Sequence, residues 1–377
     1  MDFQQLLPAI AGMSWKNMVM IAIGLTLIFL AIRKQYEPTL LLPIGFGTIL
    51  VNIPFSAVLT QGEVLGPLNV FFGAGIITEV FPLLIFVAIG AMIDFSPLFQ
   101  RPILLLFGAA AQFGIFMTMV LATLMGFDIK QAASIGIIGA ADGPTSIIVA
   151  TQMARDLLGP ISVAAYSYMA LVPIIQPPVI KALTSEKERK IRMKFDANKR
   201  ASRTALIIFP IAVTVLAGLI APSSLALIGF LMFGNLIREC GVLNSLSQTA
   251  QKELANLVTI LLGITIASTM TGEKFVQLST LMILGLGILA FVFDTAGGVL
   301  FAKLINRFMS KDKKINPMIG ACGISAFPMS ARVIHGMGLK EDKHNYLLMP
   351  AISANVGGQI GSVIVGGLIL LLVPLFA

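Results

Sequence analysis

The stretch Ile135-Gly136-Ile137-Ile138-Gly139-Ala140-Ala141-Asp142-Gly143-Pro144-Thr145-Ser146 sets one acid, a Gly-Pro pair and two hydroxyls inside an otherwise apolar run. Gly143 and Pro144 interrupt a helix, and broken backbone at membrane depth survives only where protein or a water-filled cavity surrounds it. An ionisable residue in such a place is costly and marks a functional site by default, which makes Asp142 the first candidate. The pattern occurs twice. Ile319-Gly320-Ala321-Cys322-Gly323-Ile324-Ser325-Ala326-Phe327-Pro328-Met329-Ser330 repeats I-G-x-x-G-x-x-x-x-P-x-S, with Ile319 standing 184 positions after Ile135.

Around the second copy stand Asn316-Pro317 at its mouth, Ser325 within it and Arg332 just after it. The last apolar segment carries Asn355-Val356-Gly357-Gly358-Gln359, and its first-half counterpart carries Tyr168 and Gln176-Pro177-Pro178. Carboxylate, amide and hydroxyl oxygens beside unwound carbonyls suit a small hard cation such as Na⁺. Half-helix N-termini suit an anion, with Arg332 as its counter-charge. Each residue also has a plainer reading. Asp142 can cap a half-helix, Asn316 before Pro317 can be a turn, Asn355 can clasp two helices, and Arg332 can snorkel to the interface. Asp294 stands mid-segment, as half of a buried pair or as a second ion ligand. Glu79 and Asp94 are expected solvated, near span ends.

Composition sets the class that must position these groups. The chain is 57% hydrophobic and 12% charged, with a mean hydropathy of +0.93. Soluble domains carry about 25% charged residues, so a polytopic membrane protein in a lipid bilayer is expected. The net charge of +8 reads as cytoplasmic loop charge and not as a nucleic-acid surface, because Lys and Arg cluster between apolar segments. Cys240 with Cys322, and His335 with His344, lack metal-ligand spacing. No cleavable signal is expected, since Arg33-Lys34 follows the first apolar run instead of preceding it.

Twelve apolar segments follow: 16–33, 39–58, 70–94, 102–126, 132–152 and 157–183, then 204–221, 223–238, 254–271, 276–308, 315–335 and 345–374. This divides the chain into a first repeat (1–183), a basic cytoplasmic linker (184–203) and a second repeat (204–377). If 132–152 and 315–335 enter and return on one side, five crossings remain per half, and an odd number inverts the second copy. The expected fold is therefore all-α, an inverted repeat of about five transmembrane helices plus one broken or re-entrant segment per half. With the linker inside, Arg33, Lys34, Arg101, Arg238, Lys252, Arg307, Lys311, Lys313, Lys314, Lys340 and Lys343 also fall inside, and only Lys16, Lys130, Arg155 and Lys274 fall outside. Both termini are then extracytoplasmic. At the motif offset Gly114 matches Gly298, Met125 matches Met309, Asp128 matches Asp312, Lys130 matches Lys314 and Val149 matches Val333.

GAADGPTS (139–146), Tyr168, NPMIGACGISAFPMSARV (316–333) and NVGGQ (355–359) together resemble the membrane β subunit of the biotin-dependent, sodium-pumping decarboxylases, over nearly the whole chain. These act on oxaloacetate, methylmalonyl-CoA or glutaconyl-CoA. The resemblance implies that Asp142, Tyr168, Asn316, Ser325, Arg332 and Asn355 serve sodium transport and carboxybiotin turnover. It implies catalytic roles for Asp142, Tyr168 and Arg332, with Arg332 meeting carboxybiotin, and Na⁺ ligation by Asp142, Asn316, Ser325 and Asn355. It also implies a carboxyltransferase α subunit, a biotin carrier, a small membrane γ or δ subunit, a β homotrimer, an elevator-like core and scaffold, and the bacterial inner membrane. The short stretch before the first span tilts the expectation toward the acyl-CoA systems.

The mechanism expected on this basis brings carboxybiotin from the cytoplasm toward Arg332, exports Na⁺ after decarboxylation, and consumes a proton entering from outside. Asp142 is a candidate carrier for that proton, with Tyr168 assisting. The rival reading is a Na⁺/H⁺ antiporter or a Na⁺-coupled carboxylate carrier on the same scaffold, which would move Na⁺ without a carboxylated carrier.

Overall fold

A computed structural model describes residues 10, 12–35, 38–193, 201–310 and 313–377. Lys194, Asp196, Lys199 and Arg200 of the linker, and Lys311 and Asp312, lie outside the described residues. Each of the twelve expected segments holds helix. The first half runs α1 (Trp15–Lys34), α2 (Pro38–Val51), α3 (Pro67–Ile77), α4 (Val80–Met92), α5 (Pro102–Leu124), α6 (Ile129–Gly136), α7 (Gly143–Met153) and α8 (Leu158–Leu183). The second half runs α9 (Arg203–Ile220), α10 (Leu225–Glu239), α11 (Asn244–Thr269), α12 (Leu278–Phe308), α13 (Met329–Glu341) and α14 (Leu348–Leu372). Among the described residues six helices are long and apolar enough to cross a membrane, and two bent pairs bring the number to eight if each pair is one span. The chain is an all-helical, multi-pass membrane protein.

Local chemistry sets several helix ends. Ser14 caps α1 by accepting from the Asn17 amide, and Arg33 and Lys34 occupy its last turn, beside the exposed carbonyls. Asp128 and Gln131 form a reciprocal cap at the start of α6. The segment expected as 39–58 is helical only to Val51, and the one expected from 254 begins at Asn244.

The segment expected as 70–94 is broken. α3 and α4 meet at 59°, with Glu79 in the left-handed region at φ 63°. Glu79 is therefore half-buried at a kink, not solvated at a span end, and it accepts a hydrogen bond from Gln152 Nε2 at 2.7 Å. The exposed Gln152 amide links the kink to the last turn of α7.

Packing is reciprocal between the halves. α2 of the first half packs on α11 of the second, and α4 of the first packs on α10 of the second. At the centre Gly139 faces Ala290 and Asp294 of α12, whereas its repeat partner Gly323 faces Phe107 and Ala111 of α5. Gly298 and Gly320 bring α12 and the 3₁₀ stretch Pro317–Gly323 into backbone contact. A Cβ on either would stand 2.0 Å from the other's carbonyl oxygen.

The described part of the linker is woven into the second half. Arg189 pairs with Glu341 at 2.6 Å and Arg192 with Asp342 at 2.6 Å. The Arg192 guanidinium holds the Asp342 carboxyl below the usual carboxylate range. Lys303 donates to the Leu183 carbonyl at 2.9 Å. The linker thus acts as a strut across the C-terminal ends of α12 and α13.

Candidate functional site

Two unwound stretches cross at the centre of the molecule. α6 ends at Gly136, tightens to a 3₁₀ turn over Ile137–Ala140, and turns through Ala141 in the left-handed region at φ 54°. Asp142 is extended and caps α7, with Pro144 in the first turn, where proline's missing N–H has no helical partner to lose. The second stretch leaves its 3₁₀ turn at Gly323 and stays irregular until α13 begins at Met329. The Ser325 amide donates to the Ala140 carbonyl at 2.9 Å, tying one break to the other.

Asp142 is buried, and its Oδ2 accepts from three side chains: Thr145 Oγ1 at 2.6 Å, Ser362 Oγ at 3.2 Å and Gln359 Nε2 at 3.3 Å. Gln359 in turn accepts on Oε1 from Ser325 Oγ at 2.6 Å. Asn355 Nδ2 donates to the Ile324 carbonyl at 2.6 Å, which leaves its Oδ1 buried without a partner. Gly358 lets α14 approach this closely, because a Cβ there would stand 2.4 Å from the Gly323 carbonyl oxygen. The acid of the first half is thus linked through α14 to the break of the second. A carboxylate with one well-supported and one lightly bound oxygen, with the unpartnered Asn355 oxygen one helical turn before its Gln359 partner, can ligate a small cation stripped of water.

The sequence candidates divide into two groups. Asp142, Ser325 and Asn355 belong to one hydrogen-bonded cluster. Asn316 does not join it: its Nδ2 donates to the carbonyls of Arg189 (2.7 Å) and Ile191 (2.8 Å), and its Oδ1 caps Met318. With both amide atoms engaged, Asn316 fastens the linker to the mouth of the second motif. The Tyr168 hydroxyl donates to the Leu284 carbonyl, and its ring meets Phe291 edge to face at 6.0 Å. Arg332 is exposed on α13, and its side chain makes no hydrogen bond or ion pair among the described residues. It lines a cavity of about 300 Å³ with Pro173, Pro177, Lys181, Lys340 and Glu341.

Gln359, Ser362 and Tyr166 escaped the sequence reading as site residues. The first two had a signal, because Asn355, Gln359 and Ser362 follow i, i+4, i+7 and share one face of a helix. Tyr166 had none. Its ring covers Gly143, where a Cβ would stand 2.2 Å from the ring, and its hydroxyl is buried without a partner.

A sequence profile described as the Na⁺-transporting oxaloacetate decarboxylase beta subunit matches residues 16–373. The chain belongs to that family. It is 48% identical to the methylmalonyl-CoA decarboxylase subunit beta of Propionigenium modestum, over 95% of each chain. Identity is also 48% to the glutaconyl-CoA decarboxylase subunit beta of Acidaminococcus fermentans, over 96% of this chain and 94% of the relative. The probable oxaloacetate decarboxylase beta chain of Vibrio cholerae is 43% identical, over 95% of each. The beta subunit described above is accordingly the membrane subunit of a sodium-pumping decarboxylase, with its crossed breaks in the interior and its free arginine beside a cavity at the linker end.

Proposed function

We propose that this subunit couples loss of CO₂ from a carboxylated biotin carrier to Na⁺ export, with the cation held at Asp142, Ser325 and Asn355. The observation that carries this reading is the cluster in which the Asp142 carboxylate of the first half reaches Ser325 of the second through Gln359. Thr145, Gln359 and Ser362 orient the carboxylate, and Asn355 offers the one oxygen with no competing donor. Asn316 is assigned to positioning, through its grip on the linker.

The cavity beside Arg332 fits an anionic headgroup, because Arg332, Lys181 and Lys340 outnumber the single carboxylate of Glu341. Carboxybiotin, when bound there, would supply the carboxylate whose loss as CO₂ drives the cycle. Arg332 would hold that carboxylate bidentately and repel Na⁺ from the same spot. A larger cavity of about 750 Å³ includes Arg155 and Lys274, the side chains that the charge rule assigns to the outer face. It is proposed as the release vestibule.

Reciprocal packing of α2 on α11 and of α4 on α10 supports an inverted repeat of 1–183 and 204–377 joined by the 184–203 linker. The crossed breaks would form an elevator-like core and the outer helices its scaffold. A carboxyltransferase, a biotin carrier, a small membrane subunit, a trimer of this chain and a bacterial cytoplasmic membrane complete the proposal. The 48% identity to acyl-CoA systems against 43% to an oxaloacetate system favours an acyl-CoA substrate.

Two experiments test this reading. Single cysteines at Ser185 and Ser310 should react with an impermeant thiol reagent from the cytoplasm, and one at Ala377 from outside. Labelling of Ser185 and Ser310 from opposite sides would sink the inverted topology. Arg332→Ala should raise the half-saturating concentration of carboxylated carrier by about tenfold or more, the scale of a lost charged hydrogen bond, and leave Na⁺ half-saturation near wild type. A changed Na⁺ response with an unchanged carrier response would remove Arg332 from the anion site.

A further inference from the structure

Asp294 is the buried carboxyl that the cation cluster leaves unused. Among the described residues it and Asp142 are the only fully buried carboxyls, Asp294 at 1% exposure in the middle of α12. Two glycines make room for it. A Cβ at Gly114 would stand 2.2 Å from Oδ1, and one at Gly139 would stand 2.6 Å from Oδ2. Neither oxygen has a hydrogen-bond partner of good geometry. The nearest donors are the backbone amides of Gly114 and Ile115, just past the point where α5 is interrupted at Gln112.

The ligand that suits this place follows from what surrounds it. Among the described residues no cation pairs with Asp294. The helices packed on it carry, away from their ends, only Cys322, Tyr166 and Tyr168 as titratable groups, with Asp142 at the neighbouring break. Lys130, Arg155, Asp156, Lys181, Lys303 and Arg307 stand toward the segment ends. An unpaired carboxylate this deep is costly, so the site favours a neutral group. Sodium needs several oxygens, whereas the contacts here are glycine Cα atoms, amide donors and the Ala290 carbonyl oxygen.

We propose that Asp294 is a proton-binding site of the pump, linked through Gly139 to the cation site three residues further along the same unwound stretch. The inference rests on the assignment of Na⁺ to Asp142, and it moves the proton from that residue to Asp294. Arrival of Na⁺ at Asp142 shifts the 139–142 stretch, which is tied at Ala140 to the second break, and so changes the space against Oδ2. The proton leaves to water as the cation binds and returns as it departs.

The test uses the assembled decarboxylase in lipid. Infrared difference spectra across a pH jump should contain a protonated-carboxyl band that persists in Asp142→Asn and disappears in Asp294→Asn. A band lost in Asp142→Asn, or kept in Asp294→Asn, overturns the proposal. In the Na⁺-stimulated activity that Asp294→Asn retains, the rise of Na⁺ half-saturation on acidification should be reduced by up to about tenfold per pH unit, the slope of one linked proton. A loss of activity with an unchanged pH slope assigns Asp294 a structural role and overturns the proposal as well. Should Asp294→Asn fail to assemble, Gly139→Ala takes its place: its methyl presses on Oδ2 and should shift the band, and an unshifted band counts against Asp294. Retention of Na⁺ stimulation in Asp142→Asn would instead defeat the cation assignment, a result separate from all of these.

Discussion

Asp142→Asn is expected to abolish Na⁺ transport and Na⁺-stimulated decarboxylation in a protein that still assembles. The amide keeps the size of the carboxyl and one oxygen to accept from Thr145, so the cap of α7 survives. What disappears is the charge that balances a dehydrated cation. Leaving a buried charge without its partner costs about 3–5 kcal/mol, which corresponds to a loss of affinity on the order of 100-fold or more. Carboxyl transfer onto biotin by the partner subunit should continue, because no part of that step uses this chain's interior. Proteoliposome uptake of radioactive Na⁺, measured beside CO₂ release, decides the matter. Pumping near the wild-type rate would reduce Asp142 to a helix cap and force the cation site to be sought elsewhere.

Gly320→Ala should prevent the second motif from seating at all. Its Cβ would lie 2.0 Å from the Gly298 carbonyl oxygen, a backbone atom that cannot swing aside. The 3₁₀ stretch and α12 would have to separate, and overpacking of this kind costs about 3 kcal/mol or more at the severe end. Gly285→Ala is the control on α12, the helix that Gly320 packs against, with nothing within 4 Å of the added methyl. It should be neutral or gain about 0.5–1 kcal/mol from helix propensity. Thermal stability of the two variants in detergent, read by loss of monodispersity, should differ clearly. Equal stability would mean that α12 and the motif tolerate separation, contrary to their mutual glycine contact.

Much of this architecture can be read from the chain because breaks and spans have local causes. Gly143, Pro144 and Pro328 stand at the starts of α7 and α13 and mark the breaks before them, and apolar length alone reveals the long spans. The kink at Glu79 is different. No glycine or proline stands at the left-handed position itself, which is held by Gln152, 73 residues away. Asn316 shows the opposite limit: its residue type suits ion ligation, and only its partners on the linker reveal that both amide atoms are taken. The bond from Ser325 to Ala140 is a backbone contact, blind to side-chain identity. Its place in the chain follows from tertiary crossing alone.

That same bond bears on the direction of pumping. On the proposed cation assignment, a cage fastened across both breaks would keep one set of ligands whichever water it faced, and its intrinsic hold on the cation would be equal at loading and at release. A ligand bound equally by two states shifts neither. Such a cage is a turnstile without a ratchet. On that proposal the bias would come from what differs between the two mouths, with the cationic pocket around Arg332 at one of them as the proposed seat of the decarboxylation. A sufficiently steep inward Na⁺ gradient would then drive the cycle in reverse, capturing CO₂ where it had been released.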